Sequence, residues 1–285
     1  MKVLNFGSMN VDYVYQVDHI LIPGETLASS ERNVFCGGKG LNQSIALAKA
    51  GIPVYHAGLV GEGGDALLDT CRENGVNTQF VKRVEGPCGH TMIQVDKNGQ
   101  NSILLFGGSN RCMTKAFVDE VLENFDKGDM LLLQNEINEL SYIIDSAYEK
   151  GMMIILNPSP YDSALEECDL TKVSLFLVNE IEGEQITGEQ EPEKILEKMK
   201  EKYPHSSVVL TLGSLCIPGR YRNLSSGNLQ GKGSGYNGSR RYVYRIFYFF
   251  HYRWKTGAGG TCPGGKGIVY RRFKTRSCLL DSSEK

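Results

Sequence analysis

Short, continuous apolar runs alternate with amphipathic stretches of helical spacing from residue 2 to about residue 212, and nothing else in the chain restricts its fold as strongly. Met130–Leu133 and Met152–Leu156 are apolar throughout, as strands buried on both faces of a parallel sheet must be. Lys2–Phe6, Val54–Val60, Leu175–Val178 and Val208–Leu212 repeat the pattern. Between them, the apolar spacing predicts helices over Leu41–Ala50 (stopped by Gly51), around Ala66–Glu73, over Leu140–Lys150 and over Pro192–Lys202. A β-α-β-α order of this kind gives a mainly parallel sheet with helices on both faces.

Two segments break the rhythm. Tyr13–Val34 and His90–Phe106 alternate apolar and polar residues, with Lys97-Asn98-Gly99 as a hairpin turn in the second. They predict antiparallel strands projecting from the main sheet as a small β lid, placed where it could close over a substrate.

Composition then removes several classes of function. Across 285 residues, 31 Lys+Arg face 33 Asp+Glu, a net charge of −2, which offers no attraction for nucleic acid or an anionic membrane. The opening MKVLNFGSMNVDY has no apolar stretch followed by a small-residue cleavage site, and Ile246–Trp254 is too short to span a bilayer. A cytoplasmic protein is the expectation. The eight cysteines are scattered without CxxC pairs, so they read as reduced thiols rather than as zinc ligands or a disulfide framework.

The strongest chemical feature is Cys36-Gly37-Gly38-Lys39-Gly40-Leu41-Asn42-Gln43, set directly before a helix. Glycines there let backbone N–H groups approach a ligand, Lys39 adds a cation, and Asn42 both donates and accepts hydrogen bonds. A glycine-rich turn that merely enters a helix is the plain alternative. The segment is neither a Walker A loop nor a GxGxxG turn. Gly7-Ser8-Met9-Asn10-Val11-Asp12 follows the first strand and sets an amide and a carboxylate two residues apart, a pairing suited to vicinal sugar hydroxyls. Glu182 with Glu184 could equally be a solvated helix face, and Asn157-Pro158 a turn.

Taken together, GSMNVD, PGET (Pro23–Thr26) and GGKGLNQ resemble the ribokinase branch of the PfkB carbohydrate-kinase family. The resemblance continues in order through VGEGGD (Val60–Asp65), GGSN (Gly107–Asn110), LLQNEI (Leu132–Ile137), LNPSP (Leu156–Pro160), VNEIE (Val178–Glu182) and LTLGS (Leu210–Ser214). It implies a ribokinase-like three-layer α/β/α sandwich over residues 1–214, with a mainly parallel central sheet and the small lid. It implies ATP-dependent phosphorylation of a ribose-like sugar, with Mg²⁺ and a monovalent cation such as K⁺ as the family's companions. Asn10, Val11, Asp12, Gly38, Lys39, Gly40, Asn42 and Glu136 would bind the sugar. Asn179, Glu182, Thr211, Leu212, Gly213 and Ser214 would border the nucleotide, while metal ligands stay unassigned. A homodimer formed through the lid is the candidate assembly. A kinase for another sugar such as fructose, a nucleoside kinase and a non-catalytic sugar-binding relative remain open.

The resemblance stops after Ser214. Residues 215–285 show neither period and are dense in Gly, Arg, Ser and Tyr, which predicts an irregular or poorly packed tail. The family's C-terminal motif, roughly D-T-x-G/A-A-G-D-x-F, supplies both the catalytic Asp and an anion hole, and it is absent. Thr256–Thr261 imitates it with Gly in place of the Asp, and Cys262-Pro263-Gly264-Gly265 follows where a helix should start. Reverse translation read one base later tells more. Gly235-Tyr236 permits GAT, Tyr236-Asn237 permits ACA and Val243-Tyr244 permits TTT. From Gly235 to Tyr248 the shifted frame can encode Asp-Thr-Thr-Ala-Ala-Gly-Asp-Thr-Phe-Thr-Gly-Tyr-Phe, with the second Asp straddling codons 241 and 242. The expectation is a frameshift just after Ser214 and no catalytic residue in the frame as written. An Arg/Tyr-rich nucleic-acid-binding tail at 239–254 is the competing account of this composition.

Overall fold

The computed structural model describes residues 1–212, together with the backbone of a strand at 215–219. Its main sheet is built from β1 (Val3–Phe6), β4 (Val54–Glu62), β5 (Asn77–Pro87), β8 (Met130–Gln134), β9 (Met153–Asn157), β10 (Leu175–Asn179), β11 (Ser207–Leu212) and β12 (Leu215–Gly219). Their order across the sheet is β12-β11-β10-β9-β8-β1-β4-β5, parallel from β11 to β5, with β12 antiparallel at one edge. Helices α1 (Lys39–Lys49), α2 (Asp65–Glu73), α3 (Lys115–Leu122), α4 (Leu140–Glu149), α5 (Glu180–Thr187) and α6 (Pro192–Lys202) cover the two faces.

Strand alternation divides the core into two layers. Leu4, Phe6, Leu131, Leu133, Ile154, Leu156, Phe176 and Val178 pack with α3, α4, α5 and α6. Val3, Met130, Leu132, Ile155, Leu175 and Leu177 face α1 and α2. The three-layer α/β/α sandwich is therefore the fold, and the helices over 66–73, 140–149 and 192–202 lie where the spacing places them.

Three expectations change. The lid is a sheet in the order β3-β2-β6-β7, formed by β2 (Asn10–Gln16), β3 (Glu31–Gly37), β6 (Gly89–Val95) and β7 (Asn101–Phe106); β2–β3 and β6–β7 are antiparallel as expected, and the two pairs join through a parallel β2–β6 pairing that the expectation did not include. They come from separate β-strand connections of the main sheet, so no hairpin joins them. Second, β2 begins at Asn10, so Asn10 and Asp12 belong to the lid itself rather than to a connection after β1. Third, the chain is not irregular at 215–219: β12 pairs along β11. An open sheet edge accepts a strand through backbone hydrogen bonds and asks for no side-chain period. The remainder of the tail, the base-shifted motif and Gly213-Ser214 lie outside the described residues.

Candidate functional site at the C-terminal edge of the sheet

Parallel strands gather the residues that follow them at one edge, and here β1, β8 and the start of α1 meet beneath the lid. Gly38 precedes α1 at φ 95°, a conformation that favours glycine, and a Cβ there would press on the Ser8 carbonyl at 2.9 Å. The tight approach docks the helix start onto Ser8: Leu41 N donates to Ser8 O at 2.9 Å and Gly40 N to Ser8 Oγ at 3.3 Å. Lys39 N donates to Glu136 Oε2 at 3.0 Å. The amides of Lys39, Gly40 and Leu41 are thus engaged within the protein.

Side chains carry the polar surface instead. Lys39 Nζ donates to Glu136 Oε1 at 2.5 Å, and Ser8 Oγ also bonds Glu136 Oε2. The Glu136 carboxylate is 6% exposed and the lysine 36%, so the pair has a buried acid and a partly exposed ammonium with hydrogens to spare. Glu136 thereby anchors both the backbone and the side chain of Lys39. Asn42 sits one turn into α1, half-buried, with its side-chain amide making no hydrogen bond to another described residue.

Asn10 and Asp12 share one face of β2. Asn10 is buried, and its Oδ1 accepts from Asn110 Nδ2 at 2.7 Å. Asn110 is oriented in turn by Met9, whose N donates to Asn110 Oδ1 at 2.9 Å and whose carbonyl accepts from Nδ2 at 3.3 Å. Asp12 Oδ1 accepts from Thr91 Oγ1 at 2.7 Å, and its other oxygen lies against Gly37, where any Cβ would collide with it. Burial pushes the Asp12 carboxyl above its ordinary range. The Thr91 hydrogen bond opposes that rise, the charge of Glu136 adds to it, and Lys39 opposes it. Geometry brings Asn10, Asp12, Lys39 and Glu136 together: Asp12 Oδ2 lies against Gly37, Asn10 N is 3.0 Å from where a Gly38 Cβ would stand, and Lys39, next in the chain, holds Glu136. Val11 does not join them: strand alternation turns it to the opposite lid face, where it lines a cleft with Tyr13, His90 and Met92.

Farther along the same edge, Asn179 ends β10 in register with Thr211 of β11. Asn179 and Glu182 form a capping box on α5: Glu182 N donates to Asn179 Oδ1 at 2.8 Å and Asn179 N to Glu182 Oε2 at 2.9 Å. Glu182 is 5% exposed, which excludes the solvated-face reading for this residue. Asn179 Nδ2 and the buried Thr211 hydroxyl make no hydrogen bond to another described residue, so this end of the sheet keeps polar groups that fit a polar ligand. Leu212 closes β11 beside them, half-buried. Among the described residues no group of three or more His, Cys, Asp or Glu could hold a metal ion. The five described cysteines are free thiols, and no described helix is long and apolar enough to cross a membrane.

A model of the pfkB family carbohydrate kinases matches residues 1–215. The chain belongs to that family. Among pfkB-family relatives, a deoxyribokinase of Salmonella typhi is 33% identical over 200 residues, covering 66% of this chain and 63% of that protein. A ribokinase of Haemophilus influenzae is 30% identical over 187 residues, covering 64% and 61%. The chain spans less than two thirds of either relative. In three dimensions it superposes on the ribokinase of Cryptococcus neoformans var. grubii serotype A in complex with ADP with a TM-score of 0.73 and 28% identity, over 88% of this chain and 87% of that one. The Arabidopsis thaliana ribokinase complexed with ribose and ATP gives 0.63 and 27%, over 75% and 72%. Within this pfkB frame, sequence reasoning missed Ser8, Thr91 and Asn110 as parts of the site. Ser8 and Asn110 stood inside the GSMNVD and GGSN motifs and carried a signal; Thr91 carried none.

Proposed function

We propose that residues 1–212 hold the sugar pocket and part of the nucleotide pocket of an ATP-dependent kinase for a ribose-like sugar. The observation that carries this reading is the convergence of Asn10, Asp12, Lys39 and Glu136 beneath the lid, a small set of oriented donors and acceptors such as a polyol needs. Asn10 Nδ2, Asp12 Oδ2, Lys39 Nζ and Asn42 would meet the hydroxyls, with Gly38 giving the loop its close approach. Asn179, Thr211 and Leu212, followed by Gly213 and Ser214, would border ATP. The ADP- and ATP-bound structural relatives support that choice.

In such a reaction the sugar oxygen attacks the terminal phosphorus, ADP leaves, and a base takes the hydroxyl proton. Mg²⁺ accompanying the nucleotide supplies neutralisation of the phosphate oxygens, and K⁺ is a candidate activator. No base is assigned in this frame; the Asp that straddles codons 241 and 242 in the shifted frame is the proposed one. The proposed cellular place is the cytoplasm. The exposed Ile103, Leu104 and Phe106 of the lid support a homodimer.

Titration calorimetry with ribose and a coupled assay of ATP consumption test the reading. Ribose binding with negligible turnover is the expected result, and absence of binding to any sugar overturns it. Normal turnover would overturn the functional consequence of the frameshift, and gene sequence around codon 214 decides the frameshift itself. Binding without turnover is also what a non-catalytic sugar-binding protein gives. Restoring the shifted frame separates the two, since only a kinase gains activity.

A further inference from the structure

Asp12 is a carboxylate of the pocket whose neighbours set how much hydrogen-bonding capacity it has left. Its Oδ1 already accepts from the Thr91 hydroxyl at 2.7 Å, and Oδ2 is wedged over Gly37. Thr91 is buried in β6 directly opposite Asp12 across the parallel β2–β6 pairing, so its hydroxyl is held in place by both strands. The same arrangement fixes the neighbouring amide: Asn110 holds Asn10 Oδ1, so Asn10 faces a ligand with its N–H₂ group.

We propose that Thr91 is a specificity-determining residue, which occupies one acceptor site of Asp12 and thereby weakens the discrimination between sugars with and without a hydroxyl at that position. The inference rests on the sugar-pocket reading. A carboxylate already supplied with a hydrogen gains less from a ligand hydroxyl and suffers less when the ligand lacks one. Replacing Thr91 by an isosteric group without a donor leaves Asp12 half-satisfied in a buried place, so the ligand's hydroxyl becomes more valuable. Asp12 itself is left untouched by that change.

The test is calorimetry of the full chain with ribose, 2-deoxyribose and 3-deoxyribose, for the wild type, Thr91→Val, Thr91→Ala and Thr91→Ser. The expected result is that the ribose preference over at least one deoxy sugar rises about five- to tenfold in Thr91→Val, the worth of about one ordinary hydrogen bond. Thr91→Ser, which keeps the hydroxyl, retains the wild-type ratio. Thr91→Ala carries the test if the valine variant does not fold. A ratio unchanged in Thr91→Val and Thr91→Ala, or shifted equally in Thr91→Ser, overturns the inference while the pocket stands. A wild type that binds none of the three sugars overturns the pocket reading as well. A sugar-independent check is the Asp12 carboxyl titration by NMR, which must move further up in Thr91→Val; no movement sinks the proposed coupling.

Discussion

Asn110 Nδ2 donates to Asn10 Oδ1 at 2.7 Å, linking the turn after the lid to the first residue of β2. Asn110 also satisfies both backbone groups of Met9 and is itself 1% exposed. Its replacement by Ala leaves three buried polar groups without their partner. Unfolding in urea should show a loss of roughly 3 kcal/mol, and ribose affinity should fall about tenfold or more, because the Asn10 amide is free to turn. A variant as stable as the wild type would show that Asn110 is not the anchor of this turn.

Gly37→Ala tests the close approach of Asp12. The backbone at Gly37 does not require glycine, but a Cβ would occupy the place of the Asp12 carboxylate. The expected outcome is a folded protein with a melting temperature near that of the wild type and ribose binding lost by about tenfold or more, as one charge-assisted hydrogen bond requires. Retained binding would mean that Asp12 does not touch the sugar.

Asp12 separates stability from function. Its carboxyl titrates above the ordinary range in the folded state, chiefly through desolvation. A raised acid holds its proton more tightly when folded, so stability is lost as pH rises from the ordinary carboxylate range through the folded value. Asp12→Asn removes that penalty and can still accept from Thr91. At neutral pH it should melt at or above the wild-type temperature, with the gap closing as pH falls below the ordinary carboxylate range. Ribose binding should drop in the same variant. Melting curves that stay parallel at every pH would contradict the assignment.

His56 governs the acid side. It is fully buried, its Nδ1 meets Ser44 Oγ at 2.8 Å, and burial holds its pKa down from 6.5 to about 4. Above pH 6.5 it is neutral in both states and carries no penalty. As pH falls from 6.5 toward 4 the unfolded chain takes up the proton and the folded one does not, so about 3 kcal/mol of stability is lost. His56→Gln should lose distinctly less over the same window, measured by chemical denaturation at stepped pH. Equal losses would place the acid sensitivity elsewhere.

Regular, buried elements were the legible part of this protein. The helix at Pro192–Lys202 is found with the predicted bounds, because proline suits a first helical turn and Ile195 and Met199 repeat one turn apart. The strand Asn77–Pro87 carries no such signal, since an edge strand exposes polar residues and shows no clean apolar run. The helix Lys115–Leu122 lies beyond the expected elements although Thr114 caps it and Phe117, Val118, Val121 and Leu122 form its buried face. The candidate site was legible as residue types at strand ends, not as contacts.

The sequence by itself determined the parallel sheet, its helical layers and the family, because buried strands and helix ends impose their chemistry on neighbouring residues. It also placed Lys39 and Glu136 just past the C-terminal ends of strands, whereas Asn10 and Asp12, expected there too, belong to β2. Only the tertiary structure decided which of them meet and what each has left to offer. Ser8 and Glu136 lie 128 positions apart, and Asp12 and Thr91 79 apart, separations at which no local period connects one residue to the other. The capacity of Asp12 for a ligand is set by a hydroxyl on another strand, and that contact exists only once β2 and β6 are paired.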